Sequence, residues 1–207
     1  MRSQLTNIVI WITGASSGIG EALTYELSKR GANLILSARR TEALERVKKN
    51  CSPHSDNICI LPFDLADANS LVGIAERATQ FFGHVDILIN NGGLGQRSYI
   101  ADTTLETYRQ LMEVNFFGTI SLSKFILPHF VQRRQGHFVT VSSITGKFGT
   151  PLRSGYAAAK HALHGFFDSL RAEQWKNNIH VTIICPGFIA TGLSASALTG
   201  QGSPQNH

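Results

Sequence analysis

Six short apolar runs, separated by longer stretches of helical periodicity, limit the fold of this chain more than any other feature. The runs lie at about Asn7–Thr13, Asn33–Ala38, Asn57–Pro62, Asp86–Asn90, His137–Ser142 and Ile179–Cys185. Segments such as IVIWIT, ILIN and VTIIC lack polar alternation, the pattern of strands covered on both faces in a parallel sheet. Helical patterns fall between them, near Gly18–Arg30, Glu42–Asn50, Ala68–Phe82, Thr104–Arg133 and Arg153–Lys176. Strand, helix, strand in repetition gives an α/β fold, a single doubly wound (Rossmann) domain whose mainly parallel sheet is flanked by helices on both faces. A length of 207 residues fits one such domain. Ligands of these sheets bind beyond the carboxyl ends of the strands, so functional residues are expected just after them.

Composition narrows the function classes. With 43% hydrophobic and 16% charged residues the chain is a folded globular protein. Its formal charge of +5 is spread along the sequence without a basic run, which argues against nucleic acid and suits solubility or an anionic ligand. The three cysteines, Cys51, Cys59 and Cys185, form neither a disulfide framework nor a zinc pair, so a reducing cytoplasm is expected. No signal peptide or membrane anchor is read, and no metal. His161 and His164 lack a partner at ligand spacing. Residues 1–192 are expected to form the catalytic domain, and residues 193–207 a polar, flexible tail.

After the first run comes TGASSGIG, in which Gly14, Gly18 and Gly20 surround Ser16, Ser17 and Ile19. Glycines here permit a tight turn and a close backbone approach, and the following helix offers free N–H groups to phosphates. Placed between an apolar strand and an amphipathic helix, the pattern points to a dinucleotide site. The second run ends LILSARR. No acid stands there to take ribose hydroxyls, whereas the guanidiniums of Arg39 and Arg40 suit a 2′-phosphate, favouring NADP(H) over NAD(H). Arg40 is equally consistent with solvating its loop.

Late in the chain, YAAAK sets Tyr156 and Lys160 four residues apart on one helical face. Lowering a phenol from a pKa near 10 to about 7 takes roughly 4 kcal/mol. An ammonium about 5 Å away, at an effective dielectric near 20, supplies roughly 3 kcal/mol. The pair is therefore a candidate acid–base centre. Such pairs also arise by chance on many helices, and the weight comes from its place behind a phosphate turn and thirteen residues after Ser143. Adjacent Ser142 competes with Ser143 for a substrate hydrogen bond.

Taken together, TGASSGIG, FDLAD, NNGG, VSSITG, YAAAK and PGFIAT resemble the short-chain dehydrogenase/reductase family in order and spacing, from residue 7 to about 192. LSARRTEALERVKKNC, DILINNGGLGQRS and SKFILPHF look most like its member 7 group, which reduces carbonyls on apolar substrates such as retinoids and steroids. The resemblance implies that Asp64 and Leu65 border the adenine, Asn91 lines the adenosine side, and Ile189 and Thr191 meet the nicotinamide. Asn115 would support a relay water, Ser143 would orient the substrate oxygen, Tyr156 would be the acid or base, and Lys160 would hold the ribose. It further implies carbonyl–alcohol interconversion by hydride transfer, a small apolar substrate, and a homodimer or tetramer. The dimer would be built on the two long helices, with Phe117, Leu122 and Phe166 as contacts.

Departures from the family pattern are Gly93 in place of alanine, expected to be harmless, and Ser17 where NADP-preferring members are often basic. The family's last helices and edge strand, and the membrane anchor of animal members, are missing from this sequence. A competing reading follows from that shortness: a nucleotide-binding sensor or partner subunit without turnover.

Overall fold

The computed structural model describes residues 4–193 and 196–205. Six strands form one sheet: β1 (Val9–Thr13), β2 (Asn33–Ser37), β3 (Ile58–Ile60), β4 (Ile87–Asn90), β5 (Gly136–Val141) and β6 (Ile179–Ile184). All pairings are parallel and the order is β3-β2-β1-β4-β5-β6. The chain therefore winds outward from β1 in one direction, then returns to start again at β4. The crevice between β1 and β4 is the switch point where such sheets bind ligands.

The helices are α1 (Gly18–Ser28), α2 (Thr41–Lys49), α3 (Leu71–Phe81), α4 (Leu105–Met112), α5 (Thr119–Arg133) and α6 (Ser154–Gln174). Side chains of a strand alternate between faces, so β1 feeds two cores. Val9 and Trp11 pack with Leu122, Phe130, Phe138 and Phe167 beneath α3, α5 and α6. Ile10 and Ile12 pack on the other face with Leu34, Leu44 and Val47. The sheet's lower end is pinned by Asp86, whose carboxylate accepts from the Val9 amide at 2.9 Å and from Arg133 Nη2 at 2.9 Å.

Four sequence expectations change here. The stretch Thr104–Arg133 is not one α-helix, because a π-helical turn, Glu113–Gly118, joins α4 to α5. Gly118 in that turn lies so close to the Leu65 backbone that a side chain there would strike it. Leu122, expected at a dimer face, is fully buried in the chain's own core, while Leu105, Phe117 and Phe125 are exposed large apolar residues of this stretch. Residues 196–205 do not form an unattached polar tail. Ala197 and Leu198 are buried, and Leu198 bridges Gln96 on one side and Pro204 on the other. The apolar Ala-Leu pair fits beside Gly95, which has no side chain to exclude it. Residues 194–195 and 206–207 of that stretch lie outside the described residues.

The two-sided cover expected from the run VTIIC also fails at β6, where His180, Thr182 and Ile184 are exposed.

Candidate active site

β1 ends directly in the glycine turn. Gly14 and Gly18 take φ of 65° and 57°, the left-handed region that glycine tolerates. A Cβ on Gly20 would collide with the Gly14 carbonyl, so only glycine lets α1 begin this close to the strand. Ser17 sits at the N-cap of α1 with no side-chain capping bond, which leaves its hydroxyl and the first-turn amides open. This cradle fits a pyrophosphate. Asn91 braces it from β4, its Nδ2 donating to the carbonyls of Thr13 at 3.0 Å and Gly14 at 3.1 Å. Thr13 Oγ1 in turn accepts from the amides of Asn91 and Gly92, each at 3.0 Å.

Beside this turn Ser16 is held by Arg46, whose Nη2 donates to its carbonyl at 3.1 Å and whose Nη1 pairs with Glu21 at 2.7 Å. Sequence reasoning did not single out Arg46. Arg39 and Arg40 follow β2 and are exposed, with Arg40 at the N-cap of α2. Neither has a carboxylate partner among the described residues. Asp64 closes its own turn by accepting from the Ala66 amide at 3.0 Å. Leu65 is buried against the glycine turn's neighbour Gly92.

The carboxyl ends of β4 and β5 and the start of α6 enclose a cavity of about 130 Å³ that includes Ser143, Tyr156 and Lys160. Ser143 caps a short 3-10 turn, and its Oγ accepts from the Thr145 amide at 3.2 Å and the Thr145 hydroxyl at 3.0 Å. With those two donors arriving, its own proton is left for the Tyr156 oxygen, to which Ser143 hydrogen-bonds. Ser142, the rival, is buried against α6 and bonded to the Lys160 carbonyl at 3.3 Å and His164 Nε2 at 3.1 Å.

Tyr156 is 9% exposed and Lys160 5%. Lys160 Nζ donates to the Val141 carbonyl at 2.8 Å and lies 5.7 Å from the centre of the tyrosine ring. Burial lowers the Lys160 ammonium to about 8. Burial also pushes the Tyr156 phenol above its ordinary range, outweighing the opposing pull of the Ser143 hydroxyl and the Arg153 guanidinium. The expected depression of the phenol by Lys160 is therefore not seen in the protein alone, because the same enclosure that brings them together desolvates both.

Asn115, wholly buried in the π-turn, has both side-chain groups engaged: Oδ1 accepts from the Leu94 amide at 2.7 Å and Nδ2 donates to its carbonyl at 2.9 Å. A Cβ at Gly93 would lie 2.6 Å from that Oδ1, so alanine at 93 would require Asn115 to shift. On the far wall Ile189 is 54% exposed, and Thr191 packs over Gly18. Both line the cavity.

Gln96 went unnoticed in the sequence. Buried in the loop after β4, its Oε1 accepts from the amides of Gly155 at 2.7 Å and Tyr156 at 3.1 Å. It thus caps α6 from a distant segment, satisfying first-turn amides that Arg153, the local N-cap, leaves free. The tyrosine's backbone is fixed from the sheet.

A dinucleotide-type turn and a Ser–Tyr–Lys cavity on a doubly wound sheet define a class, and the comparisons agree with it. A family model described as short chain dehydrogenase matches residues 8–202, and the chain belongs to that family. The chain is 49% identical over 203 residues to human "Dehydrogenase/reductase SDR family member 7", a match covering 96% of this chain and 60% of that protein. It is 44% identical over 209 residues to the member 7B protein of Bos taurus, covering 98% of this chain and 64% of the relative. The chain thus spans less than two thirds of the length of these relatives. Among solved structures, a short-chain dehydrogenase from Streptomyces avermitilis superposes with a TM-score of 0.85 at 32% identity, covering 93% of this chain and 70% of that one.

Proposed function

We propose that this protein is an NADP(H)-dependent oxidoreductase that interconverts a carbonyl and an alcohol, with Tyr156 as the acid or base. The observation that supports this reading is the meeting of Ser143, Tyr156 and Lys160 in one cavity whose far wall, at Ile19 and Thr191, adjoins the glycine turn. A nicotinamide dinucleotide bound there supplies or accepts the hydride. Gly14, Ser16, Ser17, Gly18, Ile19 and Gly20 would take its pyrophosphate, and Asp64, Leu65 and Asn91 its adenosine side. Arg39 would take the 2′-phosphate, with Arg40 beside it. Ile189 and Thr191 would sit at the nicotinamide.

Ser143, whose hydroxyl faces Tyr156, donates its hydrogen to the substrate oxygen as negative charge grows there. Tyr156 gives its proton to that oxygen in reduction and takes it back in oxidation. A phenol held above its ordinary range by burial keeps its proton at neutral pH, the state that reduction needs. Lys160 would hold the cofactor's ribose, and Asn115 holds the Leu94 backbone between Gly93 and Gly95, which line the cavity. The same reading includes a homodimer through the two long helical stretches, 104–133 and 153–176, with exposed Phe117 and half-buried Phe166 as contacts.

Purified protein should oxidise NADPH in the presence of members of a carbonyl panel, monitored by absorbance. Cofactor binding without any carbonyl-dependent oxidation would replace this reading with that of a nucleotide-binding protein that does not turn over.

A further inference from the structure

Resting on the oxidoreductase reading above, we infer that the substrate carries an anionic group, a carboxylate or phosphate monoester, held by Arg153 and Arg97 at the mouth of the cavity. Both residues line it together with Ser143 and Tyr156, and no Asp or Glu is among the described residues that do so. Arg30, Arg46, Arg109, Arg133 and Arg171 each face a carboxylate. Arg97 and Arg153 have none among the described residues, although Arg153 is half-buried. A partly desolvated guanidinium with no counter-charge is an anion site in wait.

The two cations are brought to one place by a specific device. Gln96 grips the amides of Gly155 and Tyr156, which draws the segment bearing Arg97 against the segment bearing Arg153. The Arg97 backbone is fixed further, its amide donating to the Leu198 carbonyl at 2.9 Å and its carbonyl accepting from Gln205 Nε2 at 3.4 Å. Arg153 lies over the Phe188 ring at 5.1 Å, so its guanidinium plane is steadied by an aromatic face rather than by an acid. Phe188 is 84% exposed and supplies an apolar lip for the substrate's carbon chain.

The position of these groups separates them from the cofactor's phosphates. The pyrophosphate cradle follows β1, whereas Arg97 and Arg153 stand after β4 and at the start of α6, on the side of Ser143 and Tyr156. The third cation of the cavity, Lys160, is enclosed and committed to the Val141 carbonyl. An anion reaching the mouth therefore meets two guanidiniums while its carbonyl approaches the serine and tyrosine.

The test uses three ketones of matched length: 6-oxoheptanoate, its methyl ester and 6-oxoheptyl phosphate. Charge-assisted contacts of this kind are expected to raise kcat/KM for the anions roughly 10- to 100-fold over the ester. Arg153→Gln and Arg97→Gln should each cut that anion-to-ester ratio severalfold, and added salt should shrink it. The better of the two anions identifies which group the site takes. A ratio near unity in the unmodified protein, or one unaltered by both substitutions, overturns the inference and shows Arg153 to be satisfied by Phe188 alone.

Should none of the three ketones be reduced, the carbonyl panel above decides the oxidoreductase reading separately. Calorimetric binding of 6-oxoheptanoate and its ester to the protein with NADP+ then decides. Tighter binding of the anion, lost in Arg153→Gln, supports the anion site, and equal binding removes it.

Discussion

Lys160 offers a sharp test of the site, because its burial predicts a measurable dependence of stability on pH. The ammonium is lowered from an ordinary value of 10.5 to about 8 by enclosure. Below pH 8 both folded and unfolded chains hold the proton, and the desolvation cost is fully present. As pH rises through 8 the folded chain releases the proton while the unfolded chain keeps it. Stability must therefore increase with pH over this window. From those two values the gain between about pH 7 and about pH 9.5 is about 2 kcal/mol.

The variant Lys160→Met keeps most of the length of the side chain and removes the charge. Its loss of the Val141 hydrogen bond is an offset common to every pH. Burial raises the thiols of Cys51 and Cys59 and the phenol of Tyr25. Those groups act in the opposite sense, since folded protein retains their protons longer, but they are present in both proteins and cancel in the difference. Urea denaturation of both proteins across this pH range gives that difference directly. A difference that stays flat, or falls as pH rises, would show that Lys160 is solvated and would undo the account of the cavity's electrostatics.

Tyr156→Phe should keep NADPH affinity, measured by fluorescence, while turnover falls by at least roughly 100-fold, the usual contribution of a positioned acid. Arg39→Ala should weaken NADPH by at least about tenfold and NADH little, because a charge-assisted contact to phosphate is lost. Equal binding of both cofactors by the unmodified protein would refute that assignment. Gln96→Leu leaves two first-turn amides of α6 without an acceptor and should lower stability by about 2 kcal/mol in urea melts, with turnover falling as well. Gln96→Glu, which keeps an acceptor oxygen, should recover much of that stability.

The fold was legible in the sequence because two periods alternate cleanly. All six apolar runs became strands, and the glycine turn, Ser143, Tyr156 and Lys160 are signalled by local spacing. What stayed hidden depends on distant partners. Asn115 was reached only through the family resemblance, because it sits in a π-turn that no periodicity announces. Gln96 looks like a loop residue, yet its partner amides are 59 and 60 positions away. The open face of β6 was readable after all. In IHVTII, His180 and Thr182 alternate with Ile179 and Val181, a one-sided pattern overlooked in favour of the apolar VTIIC. The tuning of Tyr156 was misjudged from spacing alone, since i to i+4 gives proximity but says nothing about enclosure, and enclosure raises a phenol while lowering an ammonium.

The hydrogen bonds of the site divide it into a fixed part and a free part. The start of α6 is tied to the loop after β4 by Gln96 and to the end of β5 by Lys160, while Asn115 ties the π-turn to that same loop. Three crossings of the sheet's carboxyl edge thus set where the phenol lies, and the segment after β6 steadies one of them through Leu198, which bridges Gln96. That segment supplies the exposed Phe188 and Ile189, and Arg153 reaches across to it through the ring rather than through a hydrogen bond. Groups that would do the chemistry are consequently anchored by buried polar contacts, whereas the Arg153 guanidinium is held by packing on Phe188. Substitutions at Phe188 can alter which carbonyl enters without displacing Tyr156, whereas a change at Gln96 acts on the phenol itself through its own backbone amide.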